Sequence, residues 1–309
     1  MTRVSTFGNY QAALLDLMSA QNRGLDAQRR VATQKVADDL TGFGRGSEAL
    51  TAFKSAQSRI QGFIQAGEAV AARLGSQDLA LNRVADAAGD GRQRVAEALA
   101  AGRVDGLMLE LEGLFVSARA GLNAKHQDRY LFAGANVETQ PVAVATLGDL
   151  AAAPSVASVF GNDALKAVSR LDEGTTMETG FLANEVAGEL FEIFRDIQLF
   201  HEGAQGPIAD PMSDDVRDFL EAQLARFDAA HDNLTQMAAR NGSMQNRVDA
   251  ILDSHETQTI ALDELIGERT DADMAKAVTD LQMSQIAVQA SAQVISTLRE
   301  SSLLYLLRS

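Results

Sequence analysis

The first 37 residues carry a stripe of side chains at alternating spacings of three and four, which is the repeat of a coiled-coil seam. The seam residues are Val4, Phe7, Gln11, Leu14, Met18, Gln21 and Leu25, and the stripe is widened by Leu15 and Leu17. This spacing predicts one amphipathic helix over residues 3–37. Such a helix owes little of its stability to propensity and needs a partner surface.

The end of the chain repeats the pattern. The seam there is Ala277, Leu281, Ser284, Val288, Ser291, Ile295, Leu298, Ser302 and Tyr305. It predicts a helix over residues 271–302, capped by Thr270 and followed by the apolar run Leu303-Leu304-Tyr305-Leu306-Leu307. Two arrangements are open: both ends fold back on a bundle core inside one monomer, or they join only when subunits assemble.

Helical patterns also fill most of the chain between the two ends. They predict helices over residues 47–102, 104–127, 181–200 and 214–267, with Ser213 capping the last of these. Three glycines in the segment 38–46 predict a flexible hinge loop, with Ser47 capping the next helix. The triplet Gly89-Asp90-Gly91 is expected to weaken the helix that contains it.

Residues 137–180 have a different texture. They hold two prolines and short β-branched runs, residues 166–171 alternate with a period of two, and Asp172-Glu173-Gly174 is a turn signal. We therefore predict a mainly α fold, an elongated bundle of long helices with paired terminal arms and a small β-containing insertion. The predicted domains are residues 1–40 with 271–309, residues 41–136 with 181–270, and the insertion 137–180.

Composition and charge exclude several classes of function. The chain has 309 residues, no cysteine and a formal net charge of −15. The absence of cysteine excludes disulfides and thiolate metal sites. A charge this negative argues against binding to nucleic acid or to anionic lipid. No apolar run reaches the roughly 18–20 residues that span a bilayer, so no membrane insertion is expected.

The net charge lies in the middle of the chain. Residues 1–40 hold five basic and four acidic side chains, and residues 271–309 hold three and four, so the middle holds 19 basic and 34 acidic ones. Nearly neutral ends can pack side by side in many copies, whereas an acidic middle stays solvated.

A search for chemistry gives no catalytic, cofactor-binding or metal site. The four histidines lack the three- or four-residue spacing of a helical metal site. The run Gly42-Phe43-Gly44-Arg45-Gly46 ends in Ser47 where a dinucleotide loop needs glycine, and it follows a predicted helix instead of a strand. The carboxylate pairs Asp38-Asp39 and Asp214-Asp215 suit helix capping and surface solvation. We therefore expect a protein that is not an enzyme and uses no cofactor.

Several segments, taken in their order along the chain, resemble the flagellin superfamily. They are Arg3-Val4-Ser5-Thr6, the pair Asp38-Asp39 before a glycine-rich turn, Tyr130-Leu131-Phe132-Ala133-Gly134 with Thr139 and Pro141 after it, Asp271-Ala272-Asp273-Met274-Ala275, and Ser301-Ser302-Leu303-Leu304. The turn at 130–134 and the Ser-Leu-Leu ending are most similar to the hook-associated proteins that connect the flagellar hook to the filament.

The resemblance implies a structural subunit that is exported through the flagellum's own secretion channel and resides in the extracellular flagellum. It implies a ring of copies of the chain between hook-associated protein 1 and flagellin. An export chaperone for the apolar C-terminal end is a further candidate partner. Filament flagellin is the alternative function within the superfamily, and a soluble helical-bundle enzyme is the alternative outside it.

The arm stripes and the apolar ending supply the expected site residues. We expect an assembly interface formed by Val4, Phe7, Leu14, Leu15, Met18, Leu25, Leu281, Val288, Ile295, Leu298, Leu303, Leu304, Leu306 and Leu307. The expected hinge loop contains Asp38, Asp39, Gly42, Gly44 and Gly46.

Overall fold

The computed structural model describes residues 2–307 and the side chains of residues 8–300. Its Cα positions divide into two compact units. The terminal unit contains the described residues up to Arg59 and from Gln258 onward, and the central unit contains Ile60–Thr257.

Long helices dominate the described residues. The helices are α1 Thr2–Thr33, α2 Ser47–Ala101, α3 Leu107–Leu122, α4 Leu147–Ala152, α5 Ala183–Glu202, α6 Asp214–Thr270 and α7 Met274–Leu307, and short 3-10 helices span Leu40–Gly46 and Val156–Val159. The strands are β1 Lys125–His126, β2 Arg129–Tyr130, β3 Val168–Arg170 and β4 Thr176–Glu178. The prediction of a mainly α fold with long helices and a small amount of β structure is confirmed.

In the terminal unit, α1 packs along α7 in antiparallel fashion. Gly24 lies against Ser284 in the middle of the pair, and Lys35 forms an antiparallel bridge with Asp271 at one end. The two end helices therefore pair within one chain, so their joining does not require the assembly of subunits.

Several predicted helix ends are corrected by the local backbone. Helix α1 ends at Thr33, and not at residue 37, because Gln34 adopts a φ of 57°. The last helix starts at Met274, and Asp273 caps it by accepting a hydrogen bond from the Lys276 N–H at 3.0 Å. Thr270, the predicted cap, is the last residue of α6.

Two further predicted ends are also wrong. The predicted helix 104–127 is shorter, because residues 125–130 form the tight hairpin β1–β2 with Gln127 and Asp128 at positive φ. Ser47 is not an N-cap; its hydroxyl donates backward to the Gly44 carbonyl at 2.8 Å. The predicted cap Ser213 is confirmed, since its hydroxyl accepts from the Val216 N–H.

Helix α2 runs without a break through the predicted weak point at residues 89–91. The glycines there are sites of close packing. A Cβ on Gly91 would lie 2.7 Å from a ring carbon of Phe227, and one on Gly89 would lie 3.2 Å from the His231 ring. The missing side chains let α2 approach α6 closely, so packing against α6 offsets the poor helix propensity of glycine.

The core of the central unit is built on phenylalanines from three helices. The Phe115 ring on α3 lies 5.1 Å from Phe191 and 5.9 Å from Phe194, and Phe194 lies 5.9 Å from Phe227 on α6. All four side chains are fully buried. Aromatic side chains bury large apolar areas, so this cluster is a major source of the central unit's stability.

The predicted insertion 137–180 contains the antiparallel hairpin β3–β4, in which Ser169 pairs with Met177. It also contains helix α4, which was not predicted. Thr146 and Asp149 form a reciprocal capping box at the start of α4. That pair of residues is the signal in the sequence from which this short helix could have been found.

Candidate assembly interface

The most buried positions of the contact between α1 and α7 are occupied by small side chains. On α1, Ala13, Ala20 and Ala27 are buried at intervals of seven residues. A Cβ on Gly24 would lie 3.1 Å from the Ser284 hydroxyl oxygen of α7. That hydroxyl donates to the Leu281 carbonyl at 2.8 Å, so its polarity is satisfied within its own helix. Small residues let the two helices lie close together but bury little apolar area.

The seam on α7 lies where the sequence places it. Ala277 and Ser284 are buried, and the half-buried positions are Leu281, Val288, Ser291, Ile295 and Leu298. On α1 the observed seam lies one residue before the predicted one, with Tyr10, Leu17, Gly24 and Val31 half-buried between the three alanines. Leu14 is half-buried, whereas Met18 and Leu25 are exposed.

A second apolar stripe on α1 faces solvent. Leu15, Met18 and Leu25 share one side of the helix, and each exposes between 58% and 67% of its area. Exposed apolar side chains that line up along a helix are typical of an interface. These three residues belong to the expected assembly interface and are accessible in the monomer.

Helix α7 carries a matching exposed stripe that the sequence analysis missed. Met283, Ile286, Ala290 and Val294 follow one another at spacings of three and four and are all exposed. Their spacing is itself a helical signal. The neighbouring seam also explains why α7 is apolar, so the spacing alone does not single out this stripe as an interface. The expected interface residues Val4, Phe7, Leu303, Leu304, Leu306 and Leu307 lie outside the described side chains.

The segments that lead out of α1 and into α7 are tied together. Lys35 donates from Nζ to the Asp271 carboxylate at 2.5 Å and to the Thr270 hydroxyl at 3.3 Å. The Val36 N–H donates to the Thr270 carbonyl, and the Ala272 N–H donates to the Gln34 carbonyl. The hydrogen bond from Lys35 lowers the pKa of Asp271, with a further contribution from Thr270.

The expected hinge loop is an ordered turn. Asp39 caps the 3-10 helix Leu40–Gly46 by accepting from the Thr41 hydroxyl at 2.6 Å and from the Gly42 N–H at 3.0 Å. These two bonds, in that order, lower the pKa of Asp39. Asp38 pairs with Arg29, Gly44 has a φ of 54°, and Gly46 has open space around its Cα. The expected flexibility of this loop and its role as a hinge stay predictions.

The histidines are bonded within the fold. His201 Nδ1 accepts from the Ile208 N–H, while His231 and His255 bond to the carbonyls of Ala85 and Leu171. His126 lies 2.9 Å from the Ser76 hydroxyl, which donates its own proton to the Ala72 carbonyl. All four imidazoles therefore have hydrogen-bond partners within the fold.

The described residues contain neither a candidate metal site nor a candidate membrane-spanning helix. No group of three or more histidine, aspartate or glutamate side chains there has the geometry to hold a metal ion. Over the same residues, no helix combines the length and the apolar character needed to cross a bilayer.

The comparisons with known proteins agree with this architecture. A family model described as the bacterial flagellin C-terminal helical region matches residues 224–307. This range covers most of α6 and the whole of α7. No curated protein matches the sequence. The match to the family model confirms the resemblance to the flagellin superfamily over residues 224–307.

The fold of this chain is similar to the folds of solved flagellar proteins. The chain is similar to a Vibrio parahaemolyticus protein described as a flagellar hook-associated protein, with a TM-score of 0.60 and 18% identity over 75% of this chain and 98% of that chain. It is also similar to Bacillus cereus FlgL, with a TM-score of 0.53 and 16% identity over 70% of this chain and 97% of that chain. FlgL is hook-associated protein 3, and the fold of this chain is of that type.

Proposed function

We propose that this chain is a structural, non-catalytic subunit of the bacterial flagellum with the role of hook-associated protein 3, the adaptor between hook-associated protein 1 and the flagellin filament. The observation that carries the proposal is the terminal unit, whose paired end helices expose apolar stripes on both α1 and α7. The similarity of the fold to flagellar hook-associated proteins supports the same role.

The terminal unit is suited to assembly by its charge as well as by its apolar stripes. Residues 1–59 with 258–309 hold 12 basic and 12 acidic side chains, so residues 60–257 hold the other 15 and 30 and carry the whole net charge of −15. A neutral unit can pack among identical copies without electrostatic repulsion.

In this proposal the stripes bury against neighbouring copies in a ring, with hook-associated protein 1 on one side and flagellin on the other. The chain reaches the extracellular flagellum through the flagellar secretion channel, with an export chaperone covering its C-terminal end. Each predicted domain has its own role in this proposal. Residues 1–40 with 271–309 contact neighbouring subunits, residues 41–136 with 181–270 form the supporting bundle, and residues 137–180 form the outer insertion.

A charge placed on the α7 stripe tests the proposal. We expect the double variant Met283→Asp, Ile286→Asp to fold, because both side chains are exposed, but to fail to enter the flagellum. In a strain that carries it as the only copy, electron microscopy should show hooks without filaments, and flagellin should appear in the medium.

The matched control is Gln282→Asp with Gln285→Asp, which adds the same charge at neighbouring exposed positions of α7. This control should support normal filaments and swimming. Normal filaments on cells that carry the Met283→Asp, Ile286→Asp variant would contradict the proposed use of the stripe.

Filament flagellin is the second candidate, and the match to the flagellin C-terminal region favours it. A deletion strain separates the two functions. Intact hooks with flagellin lost to the medium support the adaptor, whereas loss of the major filament protein supports filament flagellin.

A further inference from the structure

A groove on the central unit runs between strand β4 and helix α6. It has a volume of about 300 Å³. Its lining residues are Thr176, Met177, Glu178, Arg240, Ser243, Met244 and Arg247. The two arginines and the serine lie at positions i, i+3 and i+7 of α6, so they share one side of the helix.

The strand wall of this groove is anchored from behind. Arg73 on α2 donates to the Ser169 hydroxyl at 3.0 Å and also to the Thr179 hydroxyl, which holds the β3–β4 hairpin against α2. Met177, which pairs with Ser169 across the hairpin, is buried. The groove is therefore preformed, and a partner would not have to order it.

The arginines are a local excess of positive charge on an acidic unit. Arg240 is held by Glu178 at 3.4 Å and by the Phe181 ring, whose centroid lies 5.9 Å from the guanidinium carbon. Arg247 is exposed and forms no ion pair with the side chains that the structure describes. The Glu178 carboxylate also pairs with Lys166, so it does not neutralise Arg240 alone. The groove therefore keeps the capacity to bind an anionic partner.

A complementary surface lies at the start of the same helix. Asp214, Asp218 and Glu221 are exposed at positions i, i+4 and i+7 on one side of α6, and together with the half-buried Arg217 on the same side they carry a net charge of −2. None of the three forms an ion pair within the described part of the chain. Asp214 and Glu221 are seven residues apart, as are Arg240 and Arg247, so each pair spans about 10.5 Å along its helix.

We propose that the groove between Arg240 and Arg247 docks the acidic start of α6 from a second copy of this chain. The partner is a second copy because α6 carries both the arginines of the groove and, with the same seven-residue spacing, the acidic residues of opposite charge. Every copy therefore has both surfaces of the contact. The inference rests on the proposed function, in which copies of the chain lie side by side. Charge pairs of this kind select the partner and its register.

The test exchanges charges between two variants. The groove variant is Arg240→Glu with Arg247→Glu, and the helix-start variant is Asp218→Arg with Glu221→Arg. In sedimentation velocity at about 0.15 M salt, where a Debye length of about 8 Å screens the repulsion between two chains that each carry a net charge of −15, we expect the wild-type chain to self-associate. Each variant alone should associate at least about tenfold more weakly, and an equal mixture of the two should regain the wild-type association.

The matched control is Arg83→Glu with Arg129→Glu, two exposed arginines of the central unit outside the groove, and it should associate as the wild type does. A wild-type chain that stays monomeric under these conditions would overturn the inference, as would a mixture that does not associate.

The two proposals can fail separately. If the groove variant assembles normally in cells while the Met283→Asp, Ile286→Asp variant does not, only the charge contact is wrong. If both variants enter the flagellum while the exchanged mixture associates in solution, the proposed use of the terminal unit is wrong and the contact between copies stands.

Discussion

At the scale of single residues, helix α2 contains glycines with opposite roles. A Cβ on Gly91 would meet the Phe227 ring at 2.7 Å, whereas Gly62 has nothing within 4 Å of the same point. Overpacking a core costs about 1–3 kcal/mol, and replacing an open helical glycine by alanine gains up to about 1 kcal/mol. The same substitution is therefore expected to have opposite signs at two positions of one helix.

We predict that Gly91→Ala lowers the free energy of unfolding by about 1–3 kcal/mol and that Gly62→Ala raises it by up to about 1 kcal/mol. Urea titration of the purified variants, followed by circular dichroism, measures both changes. Equal effects of the two substitutions would show that the approach of α2 to Phe227 is not tight in solution.

At the scale of secondary-structure elements, the link between the α1–α2 and α6–α7 connections contains one titratable carboxylate, Asp271, beside its backbone hydrogen bonds. The pKa of Asp271 is lowered from 3.8, chiefly by the hydrogen bond from Lys35. A lowered pKa in the folded state means that the contribution to stability is present above pH 3.8 and is lost as the pH falls through the lowered value.

We predict that a carboxyl NMR titration places the pKa of Asp271 below 3.8 and that Lys35→Met moves it back toward 3.8. Asp163 is the internal control, because backbone N–H groups of Ala135 and Leu165 lower its pKa and the substitution does not touch them. An Asp271 pKa that does not respond to Lys35→Met would show that the link is absent in solution.

The helix pair also shows how far the sequence could predict the interface. The seam on α7 followed from spacing, because its apolar side chains fall on one stripe there. On α1, large residues such as Met18 drew the prediction one position away from the alanines that make the contact. Hydrophobic spacing finds the apolar stripes of a helix, but it does not say which stripe faces the partner helix and which one is left exposed.

Local backbone signals explain most of the remaining differences. The predicted helix ends were wrong where Gln34, Gln127 and Asp128 adopt positive φ, which spacing cannot reveal. The turn at Asp39 and the cap at Asp273 use side-chain hydrogen bonds that compete with other local arrangements. The long helices, by contrast, follow from many residues acting together, and they were predicted correctly.

At the scale of the whole molecule, packing and charge are divided between the two units. The central unit contains the buried phenylalanine cluster and all of the net charge, while the terminal unit is neutral and only alanine and serine are fully buried in the described contact between α1 and α7. The unit that would be expected to assemble is thus the one with the smaller buried contacts. Apolar area left exposed by the monomer is available to stabilise a polymer.

This division predicts how the monomer opens. Because local stability follows buried contacts, amides in residues 10–33 and 274–300 should exchange with deuterium faster than those in α3 and α5, whose side chains surround Phe115 and Phe191. Hydrogen-exchange mass spectrometry of the dilute chain measures the difference, with α3 and α5 as internal standards. In intact flagella the same terminal peptides should become protected, because their exposed stripes are then buried. Equal protection of both units in the monomer would mean that the small-residue seam already completes the terminal unit, and its exposed stripes would then have no stabilising role left to play in assembly.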